Sequence, residues 1–436
     1  MNSELGIRNS ESAVISKELG QAFSSLTDKN GIRILPILED MSHRENAVLI
    51  VNLACDDDQA QINAYVAAEH TAKVCAGIVS LAETGNCREV IVYCGETNAD
   101  ALIASLKVPA GATLTVSTGP ASPVLRDETA LYSAIESGGV RVNRAEHEHA
   151  RTIPSYGYSG RPTLVVDAET AFQAGRLKTA PNAGITKFVT VIGGETAIIE
   201  ALVGTSLAEL LKDRGFEGTA LIGGTCGRFV KSEAFDDTYI DFSHEFDSVR
   251  LFSGSDCVVD ALANLYKAAK EQSCAKCVMC REGSWQLCAI FSDITNGRSN
   301  RDDIALIEDI CPIIQAGALC TFGRNMIMPA LSAATVCRDD LEKHVAGRNC
   351  PVGKCAGLMK YVVDPSLCTG CGDCIDSCPE EAIDGKDGFI HVIDEKLCEK
   401  CGDCVDSCPE QAIKTDSGRL KTPKKPIKVG RFSSEG

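Results

Sequence analysis

The chain has 436 residues, more than one hydrophobic core supports, so several domains are expected. Its 44% hydrophobic content and net charge of −17 describe an acidic globular protein and argue against nucleic acid or an anionic membrane as partner. No apolar run reaches the roughly 18 residues of a membrane span, and the first twenty residues lack the basic-then-apolar pattern of a signal peptide. A cytoplasmic location is expected, and in that reducing compartment 23 cysteines read as cluster or metal ligands sooner than disulfides.

In chain order, 46–53 (NAVLIVNL) reads as a buried strand, 59–84 as one long helix, and 88–95 (REVIVYCG) as a second strand. A helix near 97–107, the strand 112–119 and a helix in DETALYSAIESG complete an alternating α/β pattern. The polar stretch 143–162, in which His147 and His149 read as solvated, leads to a small β-rich α+β module. That module is read from the strand 187–194, a helix at 206–215 and a strand at 218–224. Helices are expected at 256–272, 302–317 and 328–344. The segment after 417 is basic and reads as a flexible tail.

Residues 356–416 contain one unit written twice, PSLCTGCGDCIDSCPEEAI and EKLCEKCGDCVDSCPEQAI, thirty residues apart. Each copy has the C-x2-C-x2-C-x3-C-P spacing of a bacterial two-cluster ferredoxin, in which the fourth cysteine serves the other cluster. One [4Fe–4S] cluster is therefore expected on Cys368, Cys371, Cys374 and Cys408, the other on Cys398, Cys401, Cys404 and Cys378. Zinc sites rarely carry this proline-terminated duplicate.

Upstream, SCAKCVMCREG holds Cys274, Cys277 and Cys280, which need a fourth ligand. Cys320 in GALCTFGRN fits; Cys311 is a rival but lies within an apolar helical pattern and reads as core. SCAKCVMCREG, a helical hairpin and LCTFG together resemble the flavoprotein (51 kDa-like) subunit of complex I-type NADH dehydrogenases. The form meant is that of cytosolic hydrogenase and formate dehydrogenase complexes with an appended two-cluster ferredoxin domain. The resemblance covers nearly all the chain after about residue 45 and implies a [4Fe–4S] cluster on Cys274, Cys277, Cys280 and Cys320. It makes GYSGRPTLVVDAET (157–170) a linker and KFVTVIGG…VGTSLAELL a β-grasp (SLBB-like) module. It also makes EKHVAGRNCPVGKCAG (342–357) a joint, where His344, Cys350 and Cys355 are spaced for tetrahedral zinc. The fourth zinc ligand is open, with Cys337 the candidate. Cys55, Cys75, Cys87, Cys94, Cys226, Cys257, Cys288 and Cys311 read as buried thiols, and Met279 and Trp285 as packing beside the cluster.

Relatives bind FMN through a glycine-rich loop near the N-terminus, an Asn-Ala-Asp-Glu run after the first strand, a Gly-Glu-Glu-Thr-Ala-Leu run, and paired asparagines. Here residues 11–35 have two isolated glycines, too few Cβ-free positions to let backbone approach a phosphate. The later runs read Asn52-Leu53-Ala54-Cys55, Arg126-Asp127-Glu128-Thr129-Ala130-Leu131 and Val166-Asp167. Only Asn52 and Glu128 survive as residual flavin-site positions, so loss of FMN and NAD(H) is expected. GGETA (193–197) and GGTCG (223–227) lack the helix and lysine of a phosphate loop and read as turns.

The expected architecture is thus a multidomain α/β and α+β chain. A flavodehydrogenase-like α/β domain (1–160) precedes a β-grasp module (161–250), a helical [4Fe–4S] domain (251–345), a two-cluster ferredoxin domain (346–417) and a tail (418–436). The expected function is electron relay through three [4Fe–4S] clusters in a cytosolic redox complex, with no side chain in a catalytic acid or base role. Expected partners are a thioredoxin-like [2Fe–2S] subunit, a hydrogenase- or formate-dehydrogenase-type catalytic subunit, a flavin-bearing paralogue and ferredoxin. The alternatives are a working NAD(P)H-oxidising FMN subunit and a docking scaffold.

Overall fold

The computed structural model describes residues 23–57, 59–95, 99–143, 157–416 and 420–433. Residues 11–22 of the N-terminal stretch read for a missing glycine-rich loop, and the His147–His149 run, lie outside the described residues. The chain forms two compact units. The first comprises Met1–Ser253, Asn264–Cys288 and Ala305–Cys337; the second comprises Gly254–Ala263, Ala289–Ile304 and Arg338–Gly436.

The first unit opens with a parallel sheet, β1 (Val48–Asn52), β2 (Glu89–Cys94), β3 (Thr113–Thr118) and β4 (Thr163–Asp167), in the order β3-β2-β1-β4. Every residue of β1 is buried, as a parallel strand covered on both faces requires. Leu49, Val51, Val90 and Val92 feed the core on one side; Val48, Ile50, Ile91 and Tyr93 feed that on the other. β4 lies in the segment expected to be a linker. Its Thr-Leu-Val-Val run is as apolar as β1 and pairs with it from Val48↔Thr163 to Asn52↔Asp167, so the α/β domain extends past residue 160.

The helix expected at 59–84 is two, Ile62–Glu69 and Thr71–Thr84, broken at His70. The His70 ring turns in to lie 4.9 Å from the Phe172 ring and 5.2 Å from that of Phe188. Helix Thr71–Thr84 crosses Ala168–Thr179 at glycines: a Cβ on Gly77 would stand 1.8 Å from the Ala171 carbonyl oxygen, and one on Gly175 2.0 Å from that of Lys73.

A second, mixed sheet follows, formed by β5 (Thr186–Ile192), β6 (Ala197–Leu202), β7 (Thr219–Ile222), β8 (Arg228–Lys231) and β9 (Ser248–Phe252) in the order β6-β5-β9-β7-β8. β5 and β9 run parallel at its centre and the other pairs are antiparallel. Helices Val258–Gln272, Val278–Thr295, Asp303–Gly317 and Thr321–Asn325 come next. The helix expected at 328–344 is two, Met328–Val336 and Arg338–Val345.

In the second unit the thirty-residue repeat becomes a pseudo-two-fold. β10 (Lys360–Val363) pairs with β14 (Ile413–Asp416), while β13 (Val392–Ile393) pairs with β11 (Ile383–Asp384). Val363↔Ile413 and Ile393↔Ile383 are therefore the same contact in the two halves. The segment read as a flexible tail is ordered where described. Its β15 (Ile427–Lys428) pairs with β12 (Phe389–Ile390), and Phe432 packs on the ferredoxin core, because these apolar side chains find a free strand and a hydrophobic face.

Candidate metal centres

Cys280 and Cys320 are buried, and Cys274 and Cys277 half-buried. The chain turns tightly through the first three, with Ala275 at φ 57°. Cys320 caps the helix Thr321–Asn325, and its Sγ accepts from the Gly323 N–H at 3.4 Å. Gly323 also gives room to the second buried thiol: a Cβ there would lie 3.2 Å from Cys280 Sγ. Burial, followed by the charges of Cys274 and Cys277, pushes Cys280 up to about 11. Burial raises Cys320 too, with Cys280 and Cys274 adding to it. Thiolates that raise one another in a dry site need a cation between them. Cys311 is buried in the core, and burial alone raises it. Trp285 and Met279, read as packing beside this centre, are 62% and 44% exposed, and Met279 rests against Gly317.

In the ferredoxin region Cys374 is raised to about 12 by burial, then by Cys368, Cys371 and Cys408. Cys404 is raised to about 11 by burial, then by Cys398, Cys401 and Cys378. The structure therefore gathers the eight thiols crosswise between the halves. Gly372 and Gly402 hold φ of 96° and 97°, a conformation that favours glycine, where each cysteine loop enters its helical turn. The Ala382 and Ala412 N–H groups each donate to a fourth cysteine, Cys378 and Cys408, at 3.3 Å.

A third group unites Cys257, His344, Cys350 and Cys355, all buried, with ligand atoms within 4.8 Å of one another. Cys257 Sγ is 3.2 Å from His344 Nε2 and 3.6 Å from Cys355 Sγ. Cys337, the sequence candidate for fourth ligand, is not in this group; Cys257, read as a plain buried thiol, is. The other ring nitrogen, His344 Nδ1, donates to the Asp340 carbonyl at 2.6 Å, the kind of bond that orients a metal-binding imidazole. The Cys355 S–H bond drives Cys257 down to about 4 against its burial, and Cys355 is raised in turn. Three thiols and one imidazole at this spacing match tetrahedral zinc.

Another cluster carries no cysteine ligands and was not legible in the sequence. The order in which strands are added to the parallel first sheet reverses between β1 and β4, and the crevice beyond the carboxyl ends of the strands at such a switch point is where open α/β sheets bind ligands. Here that place is filled by charged side chains. Lys29 Nζ lies 2.9 Å from Asp167, 2.8 Å from Glu169 and 3.0 Å from Asp247. Lys187 meets Glu169 at 2.7 Å and also bonds Asp247. Arg126 donates through Nε to the Cys55 carbonyl at 3.0 Å and reaches Asp247 at 3.5 Å. Burial opposes these charges, yet the acids hold Lys29 well above the ordinary lysine range, and Lys187 and Lys29 hold Asp247 well below that of a carboxylate. The residual flavin positions are spent locally: Asn52 donates to the Leu125 carbonyl at 2.9 Å, and Glu128 accepts from the Tyr132 hydroxyl at 3.1 Å.

Residues 260–344 match the NADH-ubiquinone oxidoreductase-F iron–sulfur binding region, and 367–413 match the 4Fe–4S dicluster domain. The chain is 31% identical over 297 residues to the HndC subunit of the NADP-reducing hydrogenase of Solidesulfovibrio fructosivorans, covering 61% of this chain and 59% of that one. It is 25% identical over 267 residues to a subunit of the NADH-quinone oxidoreductase of Streptomyces coelicolor, covering 55% and 58%. The chain thus spans under two thirds of the length of these relatives. The structure overlays a chain of an NAD+-reducing [NiFe]-hydrogenase in the H2-reduced state with a TM-score of 0.67 at 18% identity, over 77% of this chain and 63% of that one, a likeness of fold. No helix among the described residues is long and apolar enough to cross a membrane. The chain thus carries two iron–sulfur domains, one of the NADH-ubiquinone oxidoreductase-F type and one of the 4Fe–4S dicluster type, and is similar to complex I-type NADH dehydrogenase flavoprotein (51 kDa-like) subunits.

Proposed function

We propose that this chain is an electron-relay subunit that has kept the family fold and lost its flavin. One observation carries the reading: the ligand crevice of the first sheet is occupied by Lys29, Arg126 and Lys187 paired with Asp167, Glu169 and Asp247. Arg126 stands where relatives have glycine, and its side chain takes space and hydrogen bonds that a bound isoalloxazine needs.

Three [4Fe–4S] clusters are assigned to Cys274/Cys277/Cys280/Cys320, Cys368/Cys371/Cys374/Cys408 and Cys398/Cys401/Cys404/Cys378. When bound, each supplies one-electron storage. The protein keeps the thiols dry, spaces them by tight loops and tunes them with backbone N–H donors. Zinc is assigned to Cys257, His344, Cys350 and Cys355 as a structural ion, since four protein ligands leave no open position for chemistry. The antiparallel pair β5–β6 with β9 parallel to β5 supports the β-grasp reading of the second sheet.

The partners proposed are a thioredoxin-like [2Fe–2S] subunit, a hydrogenase- or formate-dehydrogenase-type catalytic subunit, a flavin-bearing paralogue and ferredoxin, in the cytoplasm. The exposed Val278, Met279 and Trp285 on the helix that follows Cys277 support docking at the helical cluster.

The test is cofactor content of the anaerobically purified chain. No flavin fluorescence after denaturation, about twelve irons and about one zinc per chain are expected from three four-iron clusters and one tetrahedral site. Near-stoichiometric FMN would overturn the relay reading in favour of an NAD(P)H-oxidising subunit.

A further inference from the structure

The two halves of the ferredoxin region are not equivalent. Tyr361 and His391 occupy the same place in the thirty-residue repeat, one in β10 and the other just before β13. His391 is 1% exposed, and its Nδ1 lies 3.1 Å from Cys374 Sγ. Gly385 leaves room for the ring, since a Cβ there would be 2.1 Å from His391 Cδ2. Nε2 meets no hydrogen-bond partner among the described residues, although the Lys386 carbonyl lies near the ring. The ring is thus fixed by packing and presents one nitrogen to one sulfur. Tyr361 in the other half lines a small cavity with Cys398, Cys401 and Cys404, its hydroxyl 3.4 Å from where a Gly402 Cβ would stand. Among the described residues Cys404, the counterpart of Cys374, has no such side-chain donor.

We infer that His391 donates a hydrogen bond from Nδ1 to Cys374 Sγ and thereby raises the reduction potential of the cluster on Cys368, Cys371, Cys374 and Cys408 above that of its twin. The inference rests on the cluster assignment above. A cluster-bound thiolate carries no proton, so a contact at 3.1 Å is attractive only when Nδ1 bears the hydrogen. Reduction adds negative charge to the sulfurs, and a donor aimed at one of them favours the reduced state. The repeat would otherwise build two clusters with matched surroundings. One histidine gives the pair a direction, with the electron resting on the Cys374 side.

The test is an EPR-monitored redox titration of the full, cluster-loaded chain. His391→Phe is expected to lower one ferredoxin midpoint by about 59 mV, a tenfold loss in its electron-binding constant, and to leave the other in place. His391→Asn, whose amide N–H stands near the position of Nδ1, retains most of the gap. Tyr361→His raises the second midpoint. In the parent labelled with 15N-histidine, pulsed EPR detects a nitrogen coupling to the reduced cluster, and that coupling vanishes in His391→Phe. Unchanged midpoints in an iron-replete Phe variant would overturn the inference, as would absence of the 15N coupling from the loaded parent. If His391→Phe fails to load iron, the parent's coupling and the Tyr361→His midpoint decide. Failure of the cluster assignment is seen separately, as missing iron and missing four-iron signals in the parent.

Discussion

Replacing Asp247 with asparagine keeps the shape of the switch-point cluster and removes the charge its cations share. Asp247 is bonded by Lys29 at 3.0 Å, by Lys187, by His244 at 2.8 Å and by Arg126 at 3.5 Å, and its side chain is 2% exposed. After substitution three buried cations share Asp167 and Glu169, with Asp56 and Asp57 as the remaining acids near them. Leaving a buried charge uncompensated costs about 3–5 kcal/mol. At roughly 2 °C per kcal/mol for a unit this large, the Asn variant is expected to melt about 6–10 °C lower near pH 7.5 in anaerobic scanning calorimetry. Adding Lys187→Met rebalances two cations against two acids and recovers part of the loss, a coupling that a double-mutant cycle reads directly. Because the folded pKa of Asp247 is depressed, its contribution is complete above the unfolded value of about 3.9 and is lost only as pH falls through the folded value. Parent and variant therefore converge only in strong acid. An Asn variant that melts within about 2 °C of the parent at neutral pH would refute the view that these groups form a mutually neutralised core.

Asp56 has the opposite sign. Burial pushes it up to about 7 although Lys29 opposes the shift, so its effect is most favourable below about pH 4 and declines as pH rises toward 7. Asp56→Asn is expected to flatten that decline in urea titrations at pH 5 and 8; the three-unit shift sets a ceiling of about 4 kcal/mol, and solvent reaching this partly exposed side chain brings it to about 2. Cys257→Ser is expected to abolish zinc in elemental analysis while Cys337→Ser retains it; the reverse pattern would reject the four-residue group. Cys274→Ser is expected to lower iron by about four per chain and leave the ferredoxin-type EPR signals unchanged, and their loss would count against separate centres.

The cysteine centres were largely legible because cluster spacing is local: three thiols within seven residues need only one loop, and the repeat supplied its own confirmation. Cys257 was not, since it meets His344 from 87 residues away and carries no spacing signal of its own. The charged cluster was invisible for the same reason, with Lys29, Arg126, Asp167, Glu169, Lys187 and Asp247 drawn from separated segments. Each alone reads as a surface charge. β4 was lost for a different reason. Its apolar run is a plain strand signal, and the family likeness of the surrounding sequence displaced that signal with a linker. His70 broke a helix that periodicity ran through, because ring packing against Phe172 and Phe188 is a tertiary event.

The charge balance at the switch point bears on how electrons enter. A phosphate-bearing cofactor needs donors that are not already engaged. Here Lys29 and Lys187 are committed to carboxylates, and Arg126 to Asp247 and the Cys55 carbonyl, within a region less than a tenth exposed. Bringing a dianion there would set it against Asp167, Glu169 and Asp247 with no free cation in the set to receive it, at a desolvation cost that Coulomb attraction could not offset. Replacing single members of such a set destabilises, whereas replacing several together with apolar side chains of similar volume is often neutral. On that physics the crevice holds its charges as a balanced unit, which is what the proposed loss of flavin requires. Under the proposed relay reading, the carriers of this chain are one-electron centres. On that reading a two-electron donor is split on a partner, and the exposed Val278, Met279 and Trp285 on the helix after Cys277 offer that partner a docking surface.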